Sequence, residues 1–312
     1  KELRYLQELK IKEPVINYDL APEFGKRKFS YEDFKDKYLW QQLFYENLFE
    51  ALGYSKNKGI MLNVSRAVTI EVLRNLDIKD KKNDKIESIL FNISGMIQKS
   101  ETQKDSETVK YISDLSKYWM EIKDRYDGKT FDEVQWHFFK LRPQNFPTIR
   151  LAAGARLLSE MLYNDLMGII IKKFVEIRNL NVLINSLRSL FVVKSDGYWS
   201  NHYVFDQTSK TTIKYFVGAS RADEIVINVV LPLFAIYFEI FGKKDLAKKV
   251  FKTYGLYNQK SDNKIVRDVA DNLDMMEQIK KTIYAQGMIE LFRNYCSKNK
   301  CLECEIGKSV FN

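Results

Sequence analysis

Histidine and cysteine, which carry much of protein metal and acid–base chemistry, are scarce here: 2 His and 3 Cys in 312 residues. The two, His137 and His202, lie too far apart to form a paired-histidine metal helix. All three cysteines fall in the last 17 positions, so no disulfide framework is available and the cytosol is the expected compartment. With 13 Gly and 5 Pro, turn chemistry is too sparse for a strand-rich sandwich or barrel. The longest uncharged run, Ile225 to Phe238, has 14 residues between Glu224 and Glu239 and contains Pro232. A membrane span needs about 20 residues, so this run reads as a buried core helix and no membrane is expected as a partner. The start, Lys1-Glu2-Leu3-Arg4, reads as a charged helix rather than a leader. A glycine-rich phosphate loop, a dinucleotide fingerprint and a nucleophile elbow are missing too, which removes the easily recognised enzyme classes without excluding catalysis.

What is present is hydrophobic and helical. Forty-five per cent hydrophobic and 13% aromatic residues are enough for a sizeable core in one large domain or two helical lobes. The net charge of +9 is uneven. Residues 1–139 are neutral, whereas residues 140–221 hold 12 basic against 5 acidic residues, six of the twelve being arginine. A basic centre of this kind suits an anionic partner, DNA or RNA; it also suits an ordinary solvated surface.

The spacing predicts helices in succession. Ser30-Tyr31-Glu32-Asp33 resembles a capping box. Behind it Trp40, Leu43, Phe44, Leu48, Ala51 and Leu52 recur at helical spacing up to Gly53. Further helices are expected over 62–78, 84–98 and 106–126, with Lys79–Asp84 and Lys99–Ser106 as loops. Thr130-Phe131-Asp132-Glu133 is a second capping box for a short helix ending before Arg142-Pro143, and Pro147 suits the first turn of the next. The small residues Ala152-Ala153-Gly154-Ala155 permit a close helix–helix approach. A helix capped at Ser220 should run to Gly242 with a kink at Pro232. Tyr198 to Phe216 is the strand candidate, a hairpin turning at Asp206–Lys210. The expected fold is therefore all-α, two packed helical lobes (1–129 and 130–312) with a small β-hairpin.

Three constellations can carry chemistry. In Leu141-Arg142-Pro143-Gln144-Asn145-Phe146-Pro147-Thr148-Ile149-Arg150, two prolines steer the chain into a helix start. Arg150 then opposes the helix dipole unless an anion compensates it. Arg142, Asn145 and Arg150, with Arg156, Lys172 and Lys173 further on, form a candidate phosphate or carboxylate site; the alternative is internal pairing that braces the fold. Cys296, Cys301 and Cys304 offer three thiolates to a zinc ion, or simply pack. His202, flanked by Trp199 and Tyr203 and near Asp206, can serve as a general base, the aromatics can stack on bases beside Lys210 and Lys214, or the group is a packed hairpin.

The run Trp136 to Leu158, with its core Leu-Arg-Pro-Gln-Asn-Phe-Pro-Thr-Ile-Arg, resembles the signature of a bacterial domain-of-unknown-function family, number 2851 in that series. Leu48 to Lys58, Tyr198 to Tyr203 and Tyr295 to Gly307 resemble the same family. The resemblance implies an upstream segment with acidic and Glu-x-His motifs similar to restriction-endonuclease-like nucleases. No such motif precedes Leu20, so the chain is expected to be the family's C-terminal helical part. The function expected from charge and motif together is that of a nucleic-acid-associated accessory module, the alternative being a helical interaction scaffold with a zinc-stapled C-terminus.

Overall fold

The structure is a computed structural model that describes residues 32–78, 80, 82–97, 105–258 and 263–311. The charged start at Lys1–Arg4, the first half of the Ser30 capping box and most of the Lys99–Ser106 loop lie outside the described residues. The chain is mostly α-helical, with two small two-stranded antiparallel sheets among the described residues. No described helix is long and apolar enough to cross a membrane. Two compact units form, one from Asp36–Ile171 and Arg188–Ile225, the other including Lys172–Leu187 and the residues from Val226 onward.

The first unit is organised by the helix Lys37–Leu52. Asp36 caps it by accepting the Tyr38 N–H at 2.8 Å, and its interior has no Gly or Pro to break it. Trp40, Leu43, Phe44, Leu48 and Leu52 are fully buried, as the spacing predicts, Ala51 is half-buried, and Phe49 joins the buried face. Two of its polar residues are buried too and are paired: Glu46 meets Arg66 at 2.9 Å, and Gln41 accepts from Arg74 at 2.7 Å. A second central helix, Pro147–Tyr163, begins on the expected proline and packs against Lys37–Leu52 and Lys82–Ile93. Each of its fully buried leucines and isoleucines contributes about 1.5–3 kcal/mol. Gly154 makes the close approach that the small-residue run foretold, since an added Cβ would sit 2.7 Å from the Phe49 ring.

Several boundaries differ from expectation for local reasons. The expected 62–78 helix is two, Tyr54–Ala67 and Ile70–Asn75, because the Thr69 hydroxyl accepts the Val72 N–H at 3.1 Å and starts a new helix. Lys82–Ile93 ends short of 98, with Gly95 left-handed at φ 71°. Ser106–Ile122 tightens into a 3₁₀ turn, Lys123–Arg125. The capping box forms two residues later than expected, between Asp132 and Gln135 instead of Thr130 and Glu133, and it opens one 3₁₀ turn, Glu133–Gln135, and no helix. The single hairpin expected over Tyr198–Phe216 is two pairings. His202–Val204 pairs with Gln207–Thr208 around a tight turn at Asp206, while Tyr215–Val217 pairs with Val193–Lys194.

In the second unit, Phe174 packs on Phe234 and Phe238, with ring centroids 6.1 and 5.6 Å apart. Lys249 donates to the carbonyls of Phe174 and Ile177 at 2.6 Å, so a cation closes the C-terminal end of the helix Leu166–Glu176. The long apolar helix expected from Ser220 to Gly242 is in pieces: Ala219–Ile225, which belongs to the first unit, and a π-turn Val226–Val230 and Leu231–Ile240 in the second. Pro232 has no N–H for the carbonyl of Asn228, and the wider π-turn absorbs that mismatch where a kink was expected. Val266, Ala270, Ala285, Met288 and Leu291 form a C-terminal core cluster that includes Cys304.

Candidate functional site

In the first unit, two segments 80 residues apart are locked together around one turn. Gly53 ends the helix Lys37–Leu52 with ordinary helical φ; a Cβ there would run into the backbone of Asn57. The left-handed residue is instead Tyr54, at φ 53°. This reversal turns Asn57 inward, where its amide donates to the His137 carbonyl and its oxygen accepts the His137 N–H, both at 2.9 Å. Lys56 Nζ donates to the Phe139 carbonyl at 2.9 Å. On the near side Trp136 is buried and bonds the Ser94 carbonyl at 2.8 Å; on the far side Phe138 packs edge-on against Phe146 at 5.2 Å.

Between these anchors, Leu141 N–H closes a turn on the Phe138 carbonyl at 3.2 Å, and Lys140 is held left-handed at φ 58°. A lysine in that conformation costs about 1–3 kcal/mol and persists only where the surroundings over-determine it. The outcome is an exposed ridge. Phe139 is 76% exposed with the Lys140 ammonium 5.2 Å from its ring centroid, and Arg142, two residues after Lys140, is exposed as well.

Arg150 lies inside, 4% exposed. Its Nη1 donates to the Phe216 carbonyl at 2.8 Å and its Nη2 to Asn145 Oδ1 at 2.7 Å, so the motif's Asn145 and Arg150 do meet. Burial lowers the guanidinium's pKa, and the charge of Arg221 lowers it further; Tyr54 and Glu224 act the other way. Arg156 is already matched by the protein's own acids: its guanidinium sits between Glu87 and Asp196. Lys172 and Lys173 belong to the second unit, the former exposed beside Glu176 and the latter donating to Ser186 Oγ at 2.6 Å. The six residues thus fall into different surroundings, with Arg142 on the ridge and Arg150 and Asn145 beneath the surface.

His202 is fully buried and does not meet the Asp206 carboxylate. Its Nε2 faces Asp105 Oδ2 and its Nδ1 the Tyr198 carbonyl, both at 3.1 Å, while its ring stacks on Tyr198 at 4.0 Å. Asp206 instead accepts the Asp105 N–H at 3.2 Å. The Asp105 carboxyl is held below its usual pKa, first by the Thr108 hydroxyl and then by the Thr108 and Glu107 amides and by His202. Tyr198 is pushed up to about 12, chiefly by burial. Every polar atom of the imidazole faces the protein, so the arrangement orders the hairpin.

The three thiols are free, Cys296 and Cys301 exposed and Cys304 buried. Burial raises the Cys296 thiol, and neighbouring Cys304 and Cys301 add to the effect. Among the described residues no group of three or more His, Cys, Asp or Glu side chains converges as a metal-ligand set.

Tyr54, Phe139 and Lys140 lie within runs that resemble the family's, yet no local signal singles them out individually, and none singles out Asp105 or Arg221. Tyr54 was within reach, since it lies in the Leu48–Lys58 motif. Asp105 sits in a polar stretch that reads as a loop, and nothing in the sequence pairs it with His202.

A family model described as "Protein of unknown function (DUF2851)" matches residues 30–263. The match spans most of the chain rather than a C-terminal part, and it ends before the Tyr295–Gly307 stretch. No curated protein and no solved structure matches the chain.

Proposed function

From the premise that the chain belongs to the DUF2851 family, whose description assigns no activity, we propose that it is a nucleic-acid-associated module whose first unit grips single-stranded DNA or RNA on the 137–142 ridge. The observation that carries this reading is an aromatic ring standing 76% in solvent with the Lys140 ammonium 5.2 Å from its centroid, on a backbone pinned from both sides. A lone exposed phenylalanine loses hydrophobic free energy and gains nothing from folding. Next to Lys140 and Arg142 it has the make-up of a stacking platform, with the ring for a base and the cations for adjacent phosphates. The chain gives up further free energy on a left-handed lysine to keep that ring presented.

The test is fluorescence anisotropy with labelled oligothymidylate and oligouridylate at about 50 mM salt, where phosphate contacts count most. Phe139→Ala should weaken binding about 5- to 150-fold, the range of one base–aromatic stack. Arg142→Ala should lower affinity and reduce the salt slope by about 0.7, the share of one neutralised phosphate on a single strand. Failure of the wild-type chain to bind either strand at that salt would remove the reading.

A further inference from the structure

Beneath the ridge the first unit holds a charge imbalance that its own residues leave open. The guanidinium carbons of Arg221 and Arg150 lie 3.2 and 5.3 Å from the centroid of one ring, that of Tyr54. Arg150 bonds only neutral oxygens, on Phe216 and Asn145. Arg221 bonds Glu224 and the Ala51 carbonyl. Both Nε atoms are buried without a hydrogen-bond partner. Two positive charges, close enough for one to depress the other's pKa, therefore share a single carboxylate. Adjacent acids are committed elsewhere: Asp223 to Arg188, Glu50 to Lys58 and Glu46 to Arg66. A structural arginine clamp would be balanced by its acids, because an uncompensated buried charge is costly. Here one negative charge is wanting.

We propose that Arg150, Arg221 and Tyr54 form the floor of an oxyanion site for a phosphate group of the phosphomonoester class, which displaces Glu224 and bridges the two guanidinium groups. Glu224 has a side chain 37% exposed and can turn out to water. Tyr54 and Asn145 are half-buried, and the Arg221 side chain keeps 11% of its surface in solvent. A phosphomonoester carries close to two negative charges at neutral pH and so matches two guanidinium groups, whereas a single carboxylate matches one. Each arginine has five N–H donors and uses few of them on the protein, leaving donors for several phosphate oxygens. The left-handed Tyr54 places its ring within cation–π distance of both guanidinium groups. The site stands on residues other than Phe139, Lys140 and Arg142 and does not depend on the strand-binding reading.

The experiment uses the full chain and inorganic phosphate, read as a thermal shift across a titration. Wild type should be stabilised in a saturable way. Arg221→Gln should weaken the phosphate midpoint by at least about tenfold, the effect of removing one charged donor pair. Glu224→Gln should do the opposite: melt lower without phosphate and bind it about tenfold tighter, because the competing carboxylate is gone. A variant that merely misfolds cannot give tighter binding, so this arm protects the test. Oligonucleotides with a 5′-phosphate or a 5′-hydroxyl then identify the source. A 5′-phosphate preference that Arg221→Gln abolishes assigns the site to strand ends, and equal affinity with the inorganic phosphate response intact assigns it to a small phosphate-bearing molecule. No phosphate response in wild type and Glu224→Gln alike overturns the proposal, whatever the ridge binds.

Discussion

The ion pair at the centre of the first unit gives the most discriminating stability prediction. Glu87 is 3% exposed and sits between the Arg156 guanidinium and the Tyr111 hydroxyl. Its Oε2 has Arg156 as sole partner. Arg156 has a second acid in Asp196, whose side chain is 54% exposed. The two partners are therefore not equivalent. Arg156→Met leaves a carboxylate buried with one hydroxyl donor, and breaking a buried pair in this way costs about 3–5 kcal/mol. Glu87→Gln keeps an acceptor for Tyr111 and leaves Arg156 with Asp196, so it should cost about 1–2 kcal/mol, near that of one polar group imperfectly paired. The double variant should cost less than the sum of the two singles, since the methionine no longer needs a carboxylate opposite it. Chemical denaturation of the full chain followed by tryptophan fluorescence measures all three; Trp199, whose indole bonds Tyr111 at 2.7 Å, reports on the same cluster. A Glu87→Gln cost equal to or above that of Arg156→Met would refute the reasoning, because it would mean that Asp196 does not hold the arginine.

Other outcomes follow from local geometry. Gly154→Ala gains helix propensity of about 1 kcal/mol but drives a Cβ to 2.7 Å from the fully buried Phe49 ring. Overpacking of that kind costs about 1–3 kcal/mol, so a net loss is expected and a higher denaturation midpoint would contradict it. Asn57→Ala strands the His137 backbone groups and should cost about 2 kcal/mol while loosening the ridge, so that oligonucleotide affinity falls with stability; affinity unchanged in a destabilised variant would dissociate clamp from ridge. The raised Cys296 thiol has less thiolate at a given pH than a free cysteine, so its alkylation should be slower near pH 8 and its rate profile displaced upward. Mass spectrometry of iodoacetamide-treated native protein checks this, with Cys304, buried in the C-terminal core, labelled last.

Helix content was legible because it is a matter of period and punctuation. Trp40 to Leu52 recur at helical spacing, and Pro147 starts a helix where its missing N–H costs nothing. Where local signals misled, a neighbour or a longer-range bond had intervened. The Asp132 capping box closed as its residues allow, yet Trp136 bonds the Ser94 carbonyl and the segment turns away after one 3₁₀ turn. Thr69 cut one expected helix in two, although hydroxyl caps are visible in a sequence only once the helix is known.

The sequence by itself determined the helices, the basic centre and the motif holding Asn145 and Arg150, because each is written in neighbouring residues. Only the tertiary structure decided which cations are matched internally and which remain. Arg156 meets Glu87 from 69 positions away and His202 meets Asp105 from 97, pairings that local spacing cannot specify. Arg150 meets Arg221 across one tyrosine ring for the same reason. Charge is carried by single residues, but its compensation depends on distances through space, as where the packing of Lys82–Ile93 against Pro147–Tyr163 brings Glu87 to Arg156.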